Sequence, residues 1–200
     1  MRKIPTLFKR DPNDRARVID EVTPGCEWVL AGEGVATVKM DGACCRVETV
    51  DKDDIERSRL WKRREVKPGR EIPDGFEPCG EPDPVTGKVV GWVPVGEGPE
   101  DEWFREGFDN TLAFDVWPDG TYELVGPKVQ GNPYGMTTHT LLGHDVTWHF
   151  NKPRDLSFDG IREELTTSWE EGIVWHHPDG RMAKIKRRDF GLPWPVKEER

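Results

Sequence analysis

Lys39 closes the run Val35-Ala36-Thr37-Val38-Lys39, and Met40-Asp41-Gly42 follows it directly. Much later come Glu171-Gly172-Ile173-Val174 and then Lys184-Ile185-Lys186. A lysine amine attacks phosphorus only when neutral, and a free side-chain pKa of about 10.4 leaves little neutral amine near pH 7. Partial burial and nearby positive charge lower that value. Lys184 and Lys186 alternate with Ile185, so both point to one face of a strand. There they can supply the positive field, hold an α-phosphate and stabilise charge developing on it. Glu171, opening the strand before this pair, is the metal candidate, because Mg²⁺ is a hard ion that prefers carboxylates and water. Glu123 can accept a ribose hydroxyl or join the metal shell. Asp41-Gly42 shapes the turn beside Lys39, and a glycine there permits close backbone approach to a nucleotide. A nucleophilic lysine, a later acidic strand and a Lys-x-Lys strand are the parts needed to hold ATP and form a lysine–AMP bond.

The elements that must carry these residues read as mostly β. Residues 27–31 and 35–40 read as strands separated by Gly32-Glu33-Gly34, and 43–50 as a third strand. Asp41-Gly42 between apolar runs is a hairpin signal. Residues 59–67 read as a strand, 68–87 as a Pro- and Gly-rich acidic loop, and 88–95 as a strand. Pro99 to Phe108 opens a short helix with acids at its positive end. Residues 111–117 and 121–126 pair around Pro118-Asp119-Gly120, and Gly126 to Gly135 is a loop. Ser157 caps a helix over 157–168 in which Ile161 and Leu165 share a face. Residues 172–176 and 181–187 form a last hairpin around Pro178-Asp179-Gly180, and the tail from Gly191 is irregular. No repeat and no boundary interrupts the pattern. The expected fold is therefore α+β, a single domain over 1–200 built from twisted antiparallel β-sheets with flanking helices.

Bulk composition narrows the function classes. Apolar and charged residues each make up 34% of the chain, a lean core supplemented by nine Trp and eight Phe. No apolar run of about 18 residues exists, which predicts no membrane span, and the first fifteen residues lack a signal-peptide core. Cys26, Cys44, Cys45 and Cys79 lack CxxC spacing and read as reduced thiols. Adjacent Cys44 and Cys45 should face opposite sides of a strand. A cytoplasmic protein is expected. The net charge of −9 argues against indiscriminate nucleic-acid binding. Its distribution is uneven: residues 71–125 hold fourteen acids against two bases, while 57–70 hold seven bases against one acid. With Lys184, Lys186, Arg187 and Arg188, the chain carries two basic islands that suggest a local polyanion site.

The order of these blocks resembles the covalent nucleotidyltransferase superfamily of ATP-dependent ligases and mRNA capping enzymes. Lys39-Met40-Asp41-Gly42 is similar to its first motif, Glu171-Gly172-Ile173-Val174 to its fourth and Lys184-Ile185-Lys186 to its fifth. The segments TYELVGPKVQGNPYG, EEGIVWHH and AKIKRRDFG resemble more particularly small RNA ligases that join 5′-phosphate and 3′-hydroxyl ends. The match spans about residues 35–190, within a motif-bearing core of about 26–190. The resemblance implies a ligase-type adenylation domain, with ATP and Mg²⁺ (or Mn²⁺) as cofactors and RNA as partner. It implies that Lys39 takes AMP, passes it to an RNA 5′-phosphate, and that a 3′-hydroxyl then displaces it. Arg59, twenty positions after Lys39, would match an arginine that contacts the nucleotide ribose or the RNA 5′-phosphate. DNA ligases carry an arginine two positions after the motif glycine, whereas here that position is Cys44. This favours an RNA ligase. The chain ends about a dozen residues after Lys186, so the appended OB domain of DNA ligases and capping enzymes is not expected. Tyr134, Phe114 and Trp117 are candidates for the aromatic that sandwiches adenine.

Two other classes stay open. A GTP-using guanylyltransferase, or an enzyme adenylating another end, shares the lysine motif. A module of the same fold that binds RNA without chemistry would need none of Lys39, Glu171, Lys184 and Lys186. His139, His144 and His149 form a five-residue ladder that fits no common zinc pattern.

Overall fold

The computed structural model describes residues 3–52, 55–110, 118–144, 150 and 153–195. In chain order the elements are β1 (Phe8–Arg10), β2 (Val18–Val22), α1 (Glu27–Leu30), β3 (Val35–Lys39), β4 (Ala43–Lys52), β5 (Ile55–Val66), β6 (Glu77–Pro78) and β7 (Val89–Pro94). A 3₁₀ turn over Pro99–Asp101 leads into α2 (Glu102–Asn110). Then come β8 (Gly120–Val125), β9 (Thr140–Gly143), α3 (Phe158–Thr167), β10 (Gly172–His176), β11 (Met182–Lys186) and a closing 3₁₀ turn, Arg187–Phe190. The described residues thus form antiparallel sheets with few helices, an α+β arrangement. Among them no helix is long and apolar enough to cross a membrane.

The chain forms two compact units: Ile4–Met40 with Thr147–Arg200, and Asp41–Val146 with the first three residues. The first is built on a three-stranded antiparallel sheet in the order β11-β10-β3. The central strand β10 reads Gly-Ile-Val-Trp-His and is buried over its first four positions, as expected of a strand covered on both faces. Ala36 and Val38 of β3, and Ala183 and Ile185 of β11, are likewise buried. Phe8, Phe158 and Phe190 meet edge to face with centroids 5.0–6.3 Å apart, and α3 buries Ile161 and Leu165 completely. Ser157 caps α3 by accepting a bond from the Gly160 amide at 3.1 Å. Ser157→Ala is expected to cost about 1 kcal/mol in a denaturant titration, the usual value of such a cap.

The second unit is a six-stranded sheet, β6-β7-β5-β4-β8-β9. One face packs Cys45, Val47, Leu60, Tyr122, Leu124 and Leu141 against Trp103, Phe104 and Phe108 of α2. Lys62 is on this face and pairs with the buried Asp101 at the helix entry. Cys45 lies in the core, where burial pushes its thiol pKa well up. Cys44 is half-buried on the other face, as strand alternation requires.

Two local expectations fail. Residues 27–31 are not a strand: Glu27–Leu30 is a single helical turn, with Glu27 at its positive end and the Trp28 indole donating to the Gly25 carbonyl at 3.0 Å. An apolar run of three residues carries no period that separates strand from helix. Asp41-Gly42 does not close a hairpin, because β3 pairs with β10 while β4 pairs with β5 and β8. The local turn signal is overridden by partners far away in sequence. Strands β1, β2 and β9 were not foreseen, nor was the short strand β6 within the expected loop over 68–87. The expected strand over 111–117 lies outside the described residues.

Candidate active site

Register places the chemistry of the first unit. Gly172 of β10 is paired with Lys39 on one side and with Lys186 on the other. Cross-strand partners share a sheet face, so both lysines project from the face opposite the buried Val38, Ile173 and Ile185. Val174, two positions along, is paired with Thr37 and Lys184. Lys184 is therefore on the same face, one step from Lys186.

Glu171 sits immediately before this register point, with a side chain only 2% exposed. Its Oε2 is 2.6 Å from Lys39 Nζ, and its Oε1 accepts from Lys186 Nζ. Lys39 also donates to the Met40 carbonyl at 3.1 Å. One buried carboxylate thus aligns two lysines, the geometry in which a buried charge is tolerated. Lys39 remains 17% exposed and Lys186 30% exposed, so both can reach a ligand. The β-carbon of any side chain at Gly172 would lie 2.1 Å from the Ile185 carbonyl and 2.9 Å from Lys186 Cα. Only a glycine lets the lysine-bearing strand approach this closely. The following turn is anchored as well: the Lys186 amide donates to Asp189 Oδ2 at 2.8 Å, and Arg187, 3% exposed, donates to the carbonyls of Leu165, Ser168 and Pro193.

The second unit holds another polar cluster. The Gly42 amide donates to Glu123 Oε1 at 3.0 Å, and Glu123 Oε2 is 3.1 Å from His144 Nε2. His144 Nδ1 is 2.9 Å from Thr121 Oγ1, and Gln130 donates to the Gly42 carbonyl at 3.2 Å. The Asp41 amide donates to the Tyr134 hydroxyl at 2.6 Å. A β-carbon at Gly42 would fall 2.2 Å from the Leu124 carbonyl, so the turn is pressed against β8. Arg59 is exposed on β5, its guanidinium 4.6 Å from the centre of the Trp61 ring.

The sequence profile of a family described as RNA ligase 1 matches residues 110–200. RNA ligase 1 of Danio rerio is 30% identical over an alignment covering 97% of this chain and 82% of the relative. The chain belongs to the RNA ligase 1 family. RNA ligase 1 of Pongo abelii is 27% identical, covering 81% of this chain and 69% of the relative, and that of Mus musculus is 26% identical over similar shares. The RNA ligase 1 profile takes in Glu123, Glu171, Lys184 and Lys186.

In this member of the RNA ligase 1 family, the first unit brings Lys39, Glu171 and Lys186 into direct contact and sets Lys184 beside them. Asp41, Gly42 and Glu123 gather in the second unit, and Arg59 lies elsewhere on its sheet. His144 and Gln130 were not foreseen as partners of the turn. Residues that act by holding a distant neighbour leave no local pattern in sequence. Among the described residues no group of three or more His, Cys, Asp and Glu gathers to hold a metal. His139 is buried and stacks on Trp103 at 4.9 Å, while His144 belongs to Glu123; His149 lies outside the described residues. The carboxylates of Glu171 and Glu123 suit a hard cation by type, but each already engages both of its oxygens. They suit an ion that arrives on a triphosphate with its own water better than a resident ion in a protein cage. Of the adenine-stacking candidates, Tyr134 is tied to the turn through its hydroxyl, and Phe114 and Trp117 lie outside the described residues.

Proposed function

We propose that this chain is an ATP-dependent RNA ligase that joins 5′-phosphate and 3′-hydroxyl ends through a lysine–AMP intermediate. The observation that carries this reading is the convergence of Lys39, Glu171 and Lys186 at one register point of three strands. In the first step Lys39 Nζ attacks the α-phosphorus of ATP. The N–P bond forms, the bond to the β-phosphate oxygen breaks, and pyrophosphate leaves. The amine must first lose a proton, and Glu171 Oε2, 2.6 Å away, is the group placed to hold it. Once Glu171 turns neutral, Lys186 and Lys184 face the phosphate as cations and stabilise its developing charge. In the second step an RNA 5′-phosphate oxygen displaces Lys39 from phosphorus, giving a 5′–5′ anhydride and a free amine. In the third, a 3′-hydroxyl attacks that 5′-phosphate, a phosphodiester forms and AMP leaves.

Glu123 is assigned to a ribose hydroxyl or the metal shell, held in its rotamer by the Gly42 amide and His144. Asp41 and Gly42 set the turn that follows the nucleophile, and Arg59 meets the ribose or the RNA 5′-phosphate. Mg²⁺ or Mn²⁺ would supply charge neutralisation on the triphosphate, with Glu123 as its candidate carboxylate, because a Glu171 that has taken the Lys39 proton offers no charged oxygen.

The test is label transfer. Protein incubated with Mg²⁺ and ATP labelled at the α-phosphate should run as a labelled band on a denaturing gel, and labelled GTP should give none. Mass spectrometry should place the adduct on Lys39, and 5′-phosphorylated RNA should discharge it. Protein verified by mass to be free of pre-bound AMP that takes no label sinks the reading, and an RNA-binding module without chemistry then takes its place.

A further inference from the structure

The six-stranded sheet has a second face, opposite the one that packs on α2. Strand alternation splits the basic island of β5 between the two. Lys62 and Arg64 go to the helix side, and Arg57, Arg59 and Arg63 go to the other side together with Trp61. Register adds Arg46 opposite Trp61 and Trp92 opposite Arg63. Trp61 and Trp92 are each 3% exposed and form a buried floor. The Arg46 guanidinium lies 4.5 Å from the centre of the Trp61 ring and 5.5 Å from that of Trp92, with Arg59 also on Trp61. Arg46 is neutralised by Glu48 at 3.2 Å and Glu77 at 2.8 Å. Among the described residues, Arg57, Arg59 and Arg63 make no ion pair, although Glu48 stands opposite Arg59 in the ladder, and the Nε atoms of Arg46 and Arg63 are buried without a hydrogen-bond acceptor. Such groups are costly unless a ligand completes them. In a chain of net charge −9, three guanidiniums on one sheet face with no ion pair among the described residues mark a site for an anionic chain.

We infer that this face is a docking tract for the phosphodiester backbone of single-stranded RNA, read through Arg57, Arg59 and Arg63 and not through stacked bases. The inference rests on the RNA ligase reading above and adds to it where the strand lies and what is recognised. Guanidiniums already cover the indoles, so a base cannot stack on Trp61 or Trp92 in the manner of an aromatic platform. Arg57 and Arg59, two residues apart, are separated by about 6.6 Å along the strand, comparable to the interval between successive phosphates of a nucleic-acid strand, and Arg63 lies about 13 Å further on, two such intervals. Glu123 lies on the same face, opposite Cys44 in the ladder, so a strand on the tract shares this face with Glu123. Binding through three phosphates to a single strand gives a salt slope near −2, about −0.7 for each contact.

The experiment is fluorescence anisotropy with 5′-phosphorylated oligouridylate and oligoadenylate of about twelve nucleotides, titrated from low to moderate salt. Wild-type affinity should fall about 20-fold between 50 and 200 mM salt, and R57Q/R63Q affinity about 3-fold. The two sequences should behave alike, and R57K/R63K should keep the wild-type slope. R57Q alone changes an exposed side chain and should lower the slope by about 0.7, which carries the test if the double variant folds poorly. Lysine–AMP formation should persist in R57Q/R63Q. Unchanged slope and affinity in these variants, a strong preference for one base, or equal competition by a polyglutamate peptide would each overturn the tract. Absence of wild-type AMP labelling alongside the expected salt behaviour removes the ligase reading and leaves the tract standing. AMP labelling with no RNA binding does the reverse.

Discussion

Lys39→Ala should reduce label transfer from ATP to background, a loss of about four orders of magnitude or more, as when the nucleophile of a covalent mechanism is removed. The protein should stay folded, because Glu171 keeps Lys186 as a partner and Lys39 is partly exposed. Lys39→Arg separates charge from nucleophilicity. Arginine retains the positive charge and can pair with Glu171, so the thermal melt should match wild type. Its guanidinium does not deprotonate near neutral pH, so no adduct should form. A bound-phosphate role for Lys39 predicts the opposite, since arginine holds phosphate as well as lysine or better. Labelling of Lys39→Arg above background, or undiminished labelling of Lys39→Ala, would remove Lys39 from the centre of the mechanism.

Lys39, Glu171 and Lys186 could be picked out of the sequence because each occupies a strand end, where type and spacing are visible in a few residues. Their roles were less legible. From sequence, Glu171 is a metal candidate and Lys184 and Lys186 are the field around Lys39. Only the register of β10 with both neighbours shows that the Glu171 carboxylate stands between the two lysines. Alternation foretold the shared face of Lys184 and Lys186 and the opposed faces of Cys44 and Cys45, because a period of two is a property of the strand itself. Asp41-Gly42 misled for a related reason. A turn signal records local backbone preference, whereas pairing is settled by which edges find partners, and β4 finds β8 some eighty positions away. His144 was visible only as one rung of a histidine ladder, since its partnership with Glu123 is a tertiary fact.

Gly172→Ala should destabilise the protein strongly for the addition of a single methyl. The added carbon would stand 2.1 Å from the Ile185 carbonyl and 2.9 Å from Lys186 Cα, and these are backbone atoms that cannot rotate away. Relief requires β11 to move off β10, which stretches the ladder joining Gly172 to Lys186 and drags the Lys186 amine from Glu171. Overpacking of this kind costs about 3 kcal/mol or more when backbone must yield, read as a lowered denaturation midpoint. Misplacement of the phosphate-holding lysine by about 1 Å should lower the rate of lysine–AMP formation about 100-fold even where the protein remains folded. Gly180→Ala is the matched control. It lies in the turn joining the same two strands, at φ +89° with open space around it. Its cost of about 1 kcal/mol is backbone strain alone, and its labelling rate should match wild type. The contrast separates loss of hairpin stability from loss of register at Gly172. Wild-type labelling by Gly172→Ala would mean that close approach of β11 to β10 does not position Lys186, and the account of the site through strand register would fall with it.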